Sequence, residues 1–299
     1  MSEYINPFKD VVFKYIFGRT ETKDLLLSFI NAVLIDSGMD EIKEIEILNP
    51  FNLKEFPTDK FSILDIKAKD QNDEIYNIEI QLTDTKEFKY RTLYYWAKLY
   101  SAQLKESEYY FDLKRVICIN IVDFNLIKEL DTFHTCFLPF EYENKHVLLS
   151  NHLELHFLEI PKYKNNENKI NTKLRNWFRY LLSEGQTKEN EMKGVLEKFD
   201  EFSKAHNEYK KFTGNNEMRE LYEARLKQKR DEESRMRNAI EQAKEEAIEQ
   251  GIEQGIEQGI EQGIEQGIIQ TAKKMKEQGL TFEMINKITG LTLEKIKNL

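Results

Sequence analysis

Lys60-Phe-Ser-Ile-Leu-Asp-Ile-Lys-Ala-Lys69, Asp70-Gln-Asn-Asp73 and Ile75-Tyr-Asn-Ile-Glu-Ile-Gln-Leu82 together decide the fold. In the first run Phe61, Ile63, Asp65, Lys67 and Lys69 share one face, with Leu64, Ile66 and Ala68 near the other. The four polar residues that follow are turn chemistry. The last run alternates, with Tyr76, Ile78, Ile80 and Leu82 inward and Asn77, Glu79 and Gln81 opposite. Two alternating runs joined by a short polar turn predict a β-hairpin.

Upstream, Phe8, Val12, Tyr15 and Ile16 fall at helical spacing with Gly18 as a stop. Thr20 is expected to cap a second helix through about residue 37, with Leu25, Leu26, Phe29, Ile30, Val33 and Leu34 on one stripe. Ile42, Ile45 and Ile47 alternate as a short strand or a helix-to-strand transition. Downstream, residues 86–105 read as a helix whose aromatics, Tyr90 to Tyr100, suggest core by their spacing, with base stacking as the alternative. Residues 114–124 read as a buried strand, and 133–140, 146–149 and 153–160 as further strands ending at Pro161. Helices around a mixed central sheet make an α/β domain over 1–162. Beyond it the chain reads as all-helical: a basic region over 163–240, a repeat helix over 241–270 and a short helical hairpin over 271–299.

The hairpin also carries the candidate chemistry. Asp65, Glu79 and Gln81 are costly among Ile and Leu unless something compensates them. A hard divalent cation takes carboxylate oxygens and water, so Asp65, Glu79 and the Ile80 carbonyl are candidate ligands. Taken alone the pattern is weak, because an exposed hairpin face with Asp, Glu and Gln is ordinary.

The order of motifs is more specific than any one of them. Asn6-Pro-Phe-Lys-Asp-Val-Val-Phe-Lys-Tyr-Ile-Phe-Gly18 and Leu26-Leu-Ser-Phe-Ile-Asn-Ala-Val-Leu34 come first. Asp59-Lys-Phe-Ser-Ile-Leu-Asp65, Asn77-Ile-Glu-Ile-Gln81 and Arg91-Thr-Leu-Tyr-Tyr-Trp96 follow. Through about residue 162 the chain resembles the Rpn family of recombination-promoting nucleases and transposases, within the PD-(D/E)XK nuclease superfamily. The resemblance implies a restriction-endonuclease-like core and an Mg²⁺- or Mn²⁺-dependent DNA endonuclease. It makes Asp65 and Glu79 metal ligands, with Asp10 on the first helix as an additional acidic residue. Gln81 stands where the superfamily has Lys, and a Gln amide orients water without supplying a cation. Lys67, on the face of Asp65, and Arg91, on the next helix, are candidates for that cation. Tyr95 and Lys98 share the Arg91 face at i+4 and i+7, a candidate DNA-binding stripe. The alternative is a non-catalytic DNA-binding or assembly protein that keeps the fold.

Charge is unevenly spread. Residues 1–160 carry −10, 161–240 carry +5, 241–270 carry −7 and the last 29 carry +3, for a total of −9. An acidic module followed by a basic one suits a cation site beside a phosphate-binding surface, and equally two solvated surfaces of opposite sign. Ile248-Glu-Gln-Gly251 repeats through Gly267, so an Ile stripe advances about 40° per repeat and favours right-handed winding about a partner. This makes a homodimer or higher oligomer the expected assembly, with a plain low-complexity tract as the alternative. Thr281 and Thr292 are expected caps and Gly290 the break of the last two helices, which resemble a helix-turn-helix fragment and equally an oligomerising hairpin. Cys118 and Cys136 lie in apolar runs without a CxxC pair, which suits reduced thiols and a cytoplasmic location. His134, His146, His152 and His156 show no ligand-like spacing to Cys, so no zinc site is expected. No apolar run suggests a signal peptide or a membrane span.

Overall fold

The turn after Lys69 is built by one side chain. Asp70 Oδ1 accepts the backbone N–H of Asn72 at 2.8 Å and of Glu74 at 2.9 Å, and Asp73 takes a positive φ of 61°. A computed structural model describes residues 5–51, 66–105, 107, 109–183 and 198–299. Asp65 and the rest of 52–65 therefore lie outside the described residues. The turn joins β2 (Ile66–Asp70) to β3 (Ile75–Gln81), and β1 (Ile45–Ile47) pairs antiparallel with β2.

β4 (Val116–Val122) lies parallel to β3 and to β6 (Leu153–Glu159), and β5 (His134–Phe137) closes the edge antiparallel to β6. Among the described residues the six-stranded order is β1-β2-β3-β4-β6-β5, a mixed sheet as expected. The apolar stretch at 146–149 forms only an isolated bridge, Phe140 to Leu148, and not a strand.

Helices cover both faces. α1 (Asp10–Phe17) ends at Gly18, whose N–H returns to Lys14 O at 2.8 Å. A Cβ at position 18 would stand 2.7 Å from Lys14 O, so the close helix end requires glycine. α2 (Lys23–Asp36) follows a single 3₁₀ turn over Thr20–Thr22, and no side chain caps it, so the expected Thr20 cap is not made. Asp36 and Ser37, at the end of α2, reach His134 and His156 on one face of the sheet. α3 (Phe88–Ser101) crosses the other face, where Phe88 packs with Val116, Cys118, Val122, Leu155 and Phe157.

The chain after residue 162 joins this body. α4 (Tyr163–Asn166) leads to α5 (Thr172–Ser183), whose Trp177 packs edge-to-face with Phe17 at 5.2 Å and meets Phe202 of α6 (Asp200–Gly214) at 4.7 Å. Burial of rings of this size contributes about 2–3 kcal/mol each, which a lone helix has no surface to supply. The contacts accordingly divide the chain into Met1–Glu223 and Ala224–Leu299, not at residue 162.

The second unit holds most of α7 (Asn216–Glu277), then α8 (Phe282–Thr289) and α9 (Leu293–Asn298). Ala272, Ile285, Leu291 and Ile296 form its small core. Thr281 Oγ1 accepts from Met284 N and Thr292 Oγ1 from Lys295 N, as the sequence predicts. Gly290 makes the break with a φ of 73°. Among the described residues no helix is long and apolar enough to cross a membrane.

Candidate functional site

Alternation alone made the Asn77, Glu79, Gln81 face of β3 the polar face of a hairpin. The structure buries it, because α3 returns over it within a few residues. Asn77 and Glu79 are both about 2% exposed. Glu79 pairs in register with Asn120 of β4, itself buried, and Ile80, between Glu79 and Gln81, turns its side chain to the opposite, equally buried face.

Arg91, one turn into α3, closes the arrangement. Its Nη2 donates to Glu79 Oε1 at 2.6 Å and to Gln81 Oε1 at 2.7 Å. Gln81 is fixed from its other end, since its Nε2 donates to Thr83 O at 2.8 Å. The guanidinium lies over the Phe88 ring, with Cζ 5.0 Å from the centroid. One helical turn from Phe88, Thr92 Oγ1 donates to Phe88 O and lies 3.4 Å from Asn120 Oδ1. Glu79, Gln81 and Arg91 thus form one hydrogen-bonded cluster, open to solvent on the Arg91 side.

Among the described residues, two buried polar atoms there lack hydrogen-bond partners: Asn77 Oδ1 and Arg91 Nε. An unsatisfied buried oxygen two residues from a buried carboxylate is an unusual expense for an apolar sheet. It marks the place as one where an additional partner fits.

The remaining nominated residues are placed as follows. Lys67 pairs in register with Asn77, so it shares the Glu79 face on the neighbouring strand. Tyr95 is half-buried with its ring 5.7 Å from Tyr94, and Lys98 is exposed. Asp10 opens α1, where its Oδ1 accepts Val11 N at 2.9 Å. Of the aromatic helix, Trp96 and Tyr100 pack inward, whereas Tyr90 and Tyr94 are 74% and 62% exposed, against the core packing expected of them. A cavity of about 510 Å³ lined by Asn125, Lys128, Asp131, Lys162 and Asn166 contains none of these residues.

Sequence reasoning placed Asn77 beside Glu79 but missed Asn120 and Thr92. Asn120 carried a signal, as the single amide in the otherwise apolar Val116-Ile-Cys-Ile-Asn-Ile-Val122. It also dispersed the histidines: the structure brings His134 and His156 to within 2.9 Å, nitrogen to nitrogen, and hydrogen-bonds His152 to Tyr100.

The profile of a family described as PD-(D/E)XK nuclease family transposase matches residues 7–239. No curated protein matches the chain, and no solved structure does.

Proposed function

The chain belongs to the PD-(D/E)XK nuclease family transposases, and from that premise we propose that it is a metal-dependent DNA endonuclease, hydrolysing phosphodiester bonds in recombination or transposition. The observation that carries the reading is a buried carboxylate, Glu79, tied with Gln81 to one guanidinium that is still open to solvent.

The donor set fits a hard divalent cation such as Mg²⁺ or Mn²⁺: the Glu79 carboxylate and Asn77 Oδ1, which has no partner among the described residues, are oxygens on one face of β3. Asp65, Glu79 and the Ile80 carbonyl would hold the ion, with Asp10 as a further acidic ligand. Such an ion, when bound, lowers the pKa of a water and stabilises charge on a phosphate. Arg91 supplies what Gln81 lacks. Its charge sits beside the Gln81 amide, and its planar fork matches a phosphate's oxygens. Gln81, held by Thr83 and Arg91, orients the guanidinium. Lys67 adds positive charge on the same face, and Tyr95 and Lys98 extend the Arg91 stripe for contacts to the DNA backbone.

Nicking of supercoiled plasmid with and without Mg²⁺ or Mn²⁺ tests the reading. Asp65→Ala, Glu79→Ala and Arg91→Ala should each lose at least about 100-fold in rate. No cutting by the folded parent at low salt, or equal cutting by the carboxylate variants, would refute it. DNA retention indifferent to chelator and to Asp65→Ala would instead identify a binding protein.

A second reading concerns assembly and is compatible with the first. Ile248, Ile252, Ile256, Ile260 and Ile264 remain 58–63% exposed along α7, and Cβ atoms at the intervening glycines would meet only open space. Five helical glycines cost about 2.5–5 kcal/mol together relative to alanine. A homodimer or higher oligomer through this stripe offsets that cost and brings two nuclease sites to one DNA. Cys118 and Cys136, neither of them in a disulfide, suit a cytoplasmic setting.

A further inference from the structure

On the sheet face opposite Glu79, a second polar cluster lies at the β5–β6 edge, away from the nuclease chemistry. Cys136 and His156 are direct partners across the antiparallel register, and Glu154 lies two residues before His156 on the same face. Their sulfur, nitrogen and carboxylate oxygen ligand atoms all lie within 4.8 Å of one another. Glu154 and His156 are fully buried, and Cys136 is half-buried, which leaves a route in from its side.

Each ligand candidate is held from behind. Asp36 Oδ2 lies 2.6 Å from His134 Nδ1, and His134 Nε2 lies 2.9 Å from His156 Nδ1. Arg115 Nη2 donates to the far oxygen of Glu154. The Asp36–His134 chain engages His156 at Nδ1 and leaves its Nε2 on the Glu154 side, 2.5 Å from Oε1. Ser37 Oγ, 3.3–3.4 Å from the two facing nitrogens, adds no charge.

A shared proton or a metal ion between Nε2 and Oε1 accounts for so short a contact, and only the metal ion also uses the neighbouring Cys136 sulfur.

We propose that Cys136, Glu154 and His156 bind a zinc ion, with His134 and Asp36 orienting His156 and Arg115 orienting Glu154. Thiolate, imidazole and carboxylate are zinc's usual donors, and a ligating histidine is usually held by a hydrogen bond at its other ring nitrogen, as His134 holds His156. Bonds of about 2.0–2.3 Å set ligands about 3.3–3.8 Å apart on a tetrahedral ion, so entry would spread the Glu154–His156 pair by under about 1 Å. Burial raises the Cys136 thiol to about 11, so zinc would displace a proton on binding. The ion would fasten the four-residue edge strand β5 to β6.

The full chain, stripped with chelator, reloaded with ZnCl₂ and desalted, should retain about one zinc per chain by elemental analysis. Glu79→Gln should retain it, which separates this site from the nuclease centre, and Cys136→Ser should retain at least about fivefold less. In the unmutated chain, zinc should protect Cys136 from alkylation by iodoacetamide, and Co²⁺ should give a thiolate charge-transfer band; neither requires a variant to fold. Substoichiometric zinc in the parent, retention unchanged in Cys136→Ser, or Cys136 alkylated equally fast with and without zinc overturns the proposal. A proton-bridged network would give the first of these results.

Discussion

Arg91→Ala removes the guanidinium that Glu79 and Gln81 share, at 2.6 and 2.7 Å. Removing one partner of a dry ion pair costs about 3–5 kcal/mol. Here only one end is dry: the Glu79 side chain is 3% exposed and that of Arg91 31%, so solvent already screens the guanidinium. That exposure reduces the expected loss to about 2–3 kcal/mol. If Glu79→Gln is introduced first, the buried charge is gone and Arg91→Ala costs about 1 kcal/mol, the worth of an ordinary hydrogen bond. A double-mutant cycle should therefore give a coupling of about 1–2 kcal/mol. Urea unfolding followed by tryptophan fluorescence suits this measurement, because Trp96 and Trp177 are the two tryptophans and both lie in Met1–Glu223. With a slope of about 2–3 kcal/mol per M, the midpoint of Arg91→Ala should fall by about 1 M. A coupling under about 0.5 kcal/mol would mean that the pair does not hold the Glu79 charge in place.

Other perturbations reach other parts of the chain. Burial alone would raise the Glu208 carboxyl, but hydrogen bonds and charge from Lys211 and Arg19 outweigh it and hold the group below its usual 4.5. A depressed folded value contributes stability above about pH 4.5 that is lost as pH falls through the folded value, so Glu208→Gln should flatten the acid limb of urea midpoint against pH; an unchanged limb refutes the assignment. Gly290→Ala forces a side chain onto a φ of 73° and should cost the second unit about 1 kcal/mol, read as an earlier helical melting phase by circular dichroism; an unshifted melt contradicts it. Ile252→Ser, Ile256→Ser and Ile260→Ser together should lower particle mass by light scattering, and an unchanged mass removes the stripe as the assembly element.

The local grammar of the chain was legible, and its long-range cover was not. Thr281, Gly290 and Thr292 act within four residues, so cap and break follow from residue type. The Asp70 turn is equally local. By contrast, whether the face of Asn77 and Glu79 is wet depends on α3 folding back, and alternation in β3 says only that two faces differ. Tyr90 and Tyr94 show the converse: helical spacing groups the aromatics, but the inward line of α3 runs through Phe88, Thr92, Trp96 and Tyr100 and leaves these two outside. The polar stretch before Trp177 reads as a linker, whereas the Trp177 ring packs back against Phe17 and Phe29 as well as against Phe202. Cys136 and His156, twenty residues apart, meet only through antiparallel register, which no linear spacing displays.

Position 81 is where residue type and geometry diverge most. A lysine there would carry its charge from β3; with glutamine there, the charge comes from α3, and Gln81 Oε1 receives Arg91 Nη2. If the cation matters and not its origin, Gln81→Lys should rescue Arg91→Ala. The lysine ammonium would sit beside Glu79 on the same strand face, where it satisfies the carboxylate that the first substitution strands. Rescue should show twice: about 1–2 kcal/mol of stability regained, and at least about tenfold of the lost nicking rate. In the Arg91 background the same Gln81→Lys should do harm, since two cations would then compete for one buried carboxylate. Stability restored without activity would make Arg91 a buttress for Glu79 and nothing more. No recovery of either, in a variant that folds, would mean that Gln81 and Arg91 do not share the role of the missing lysine.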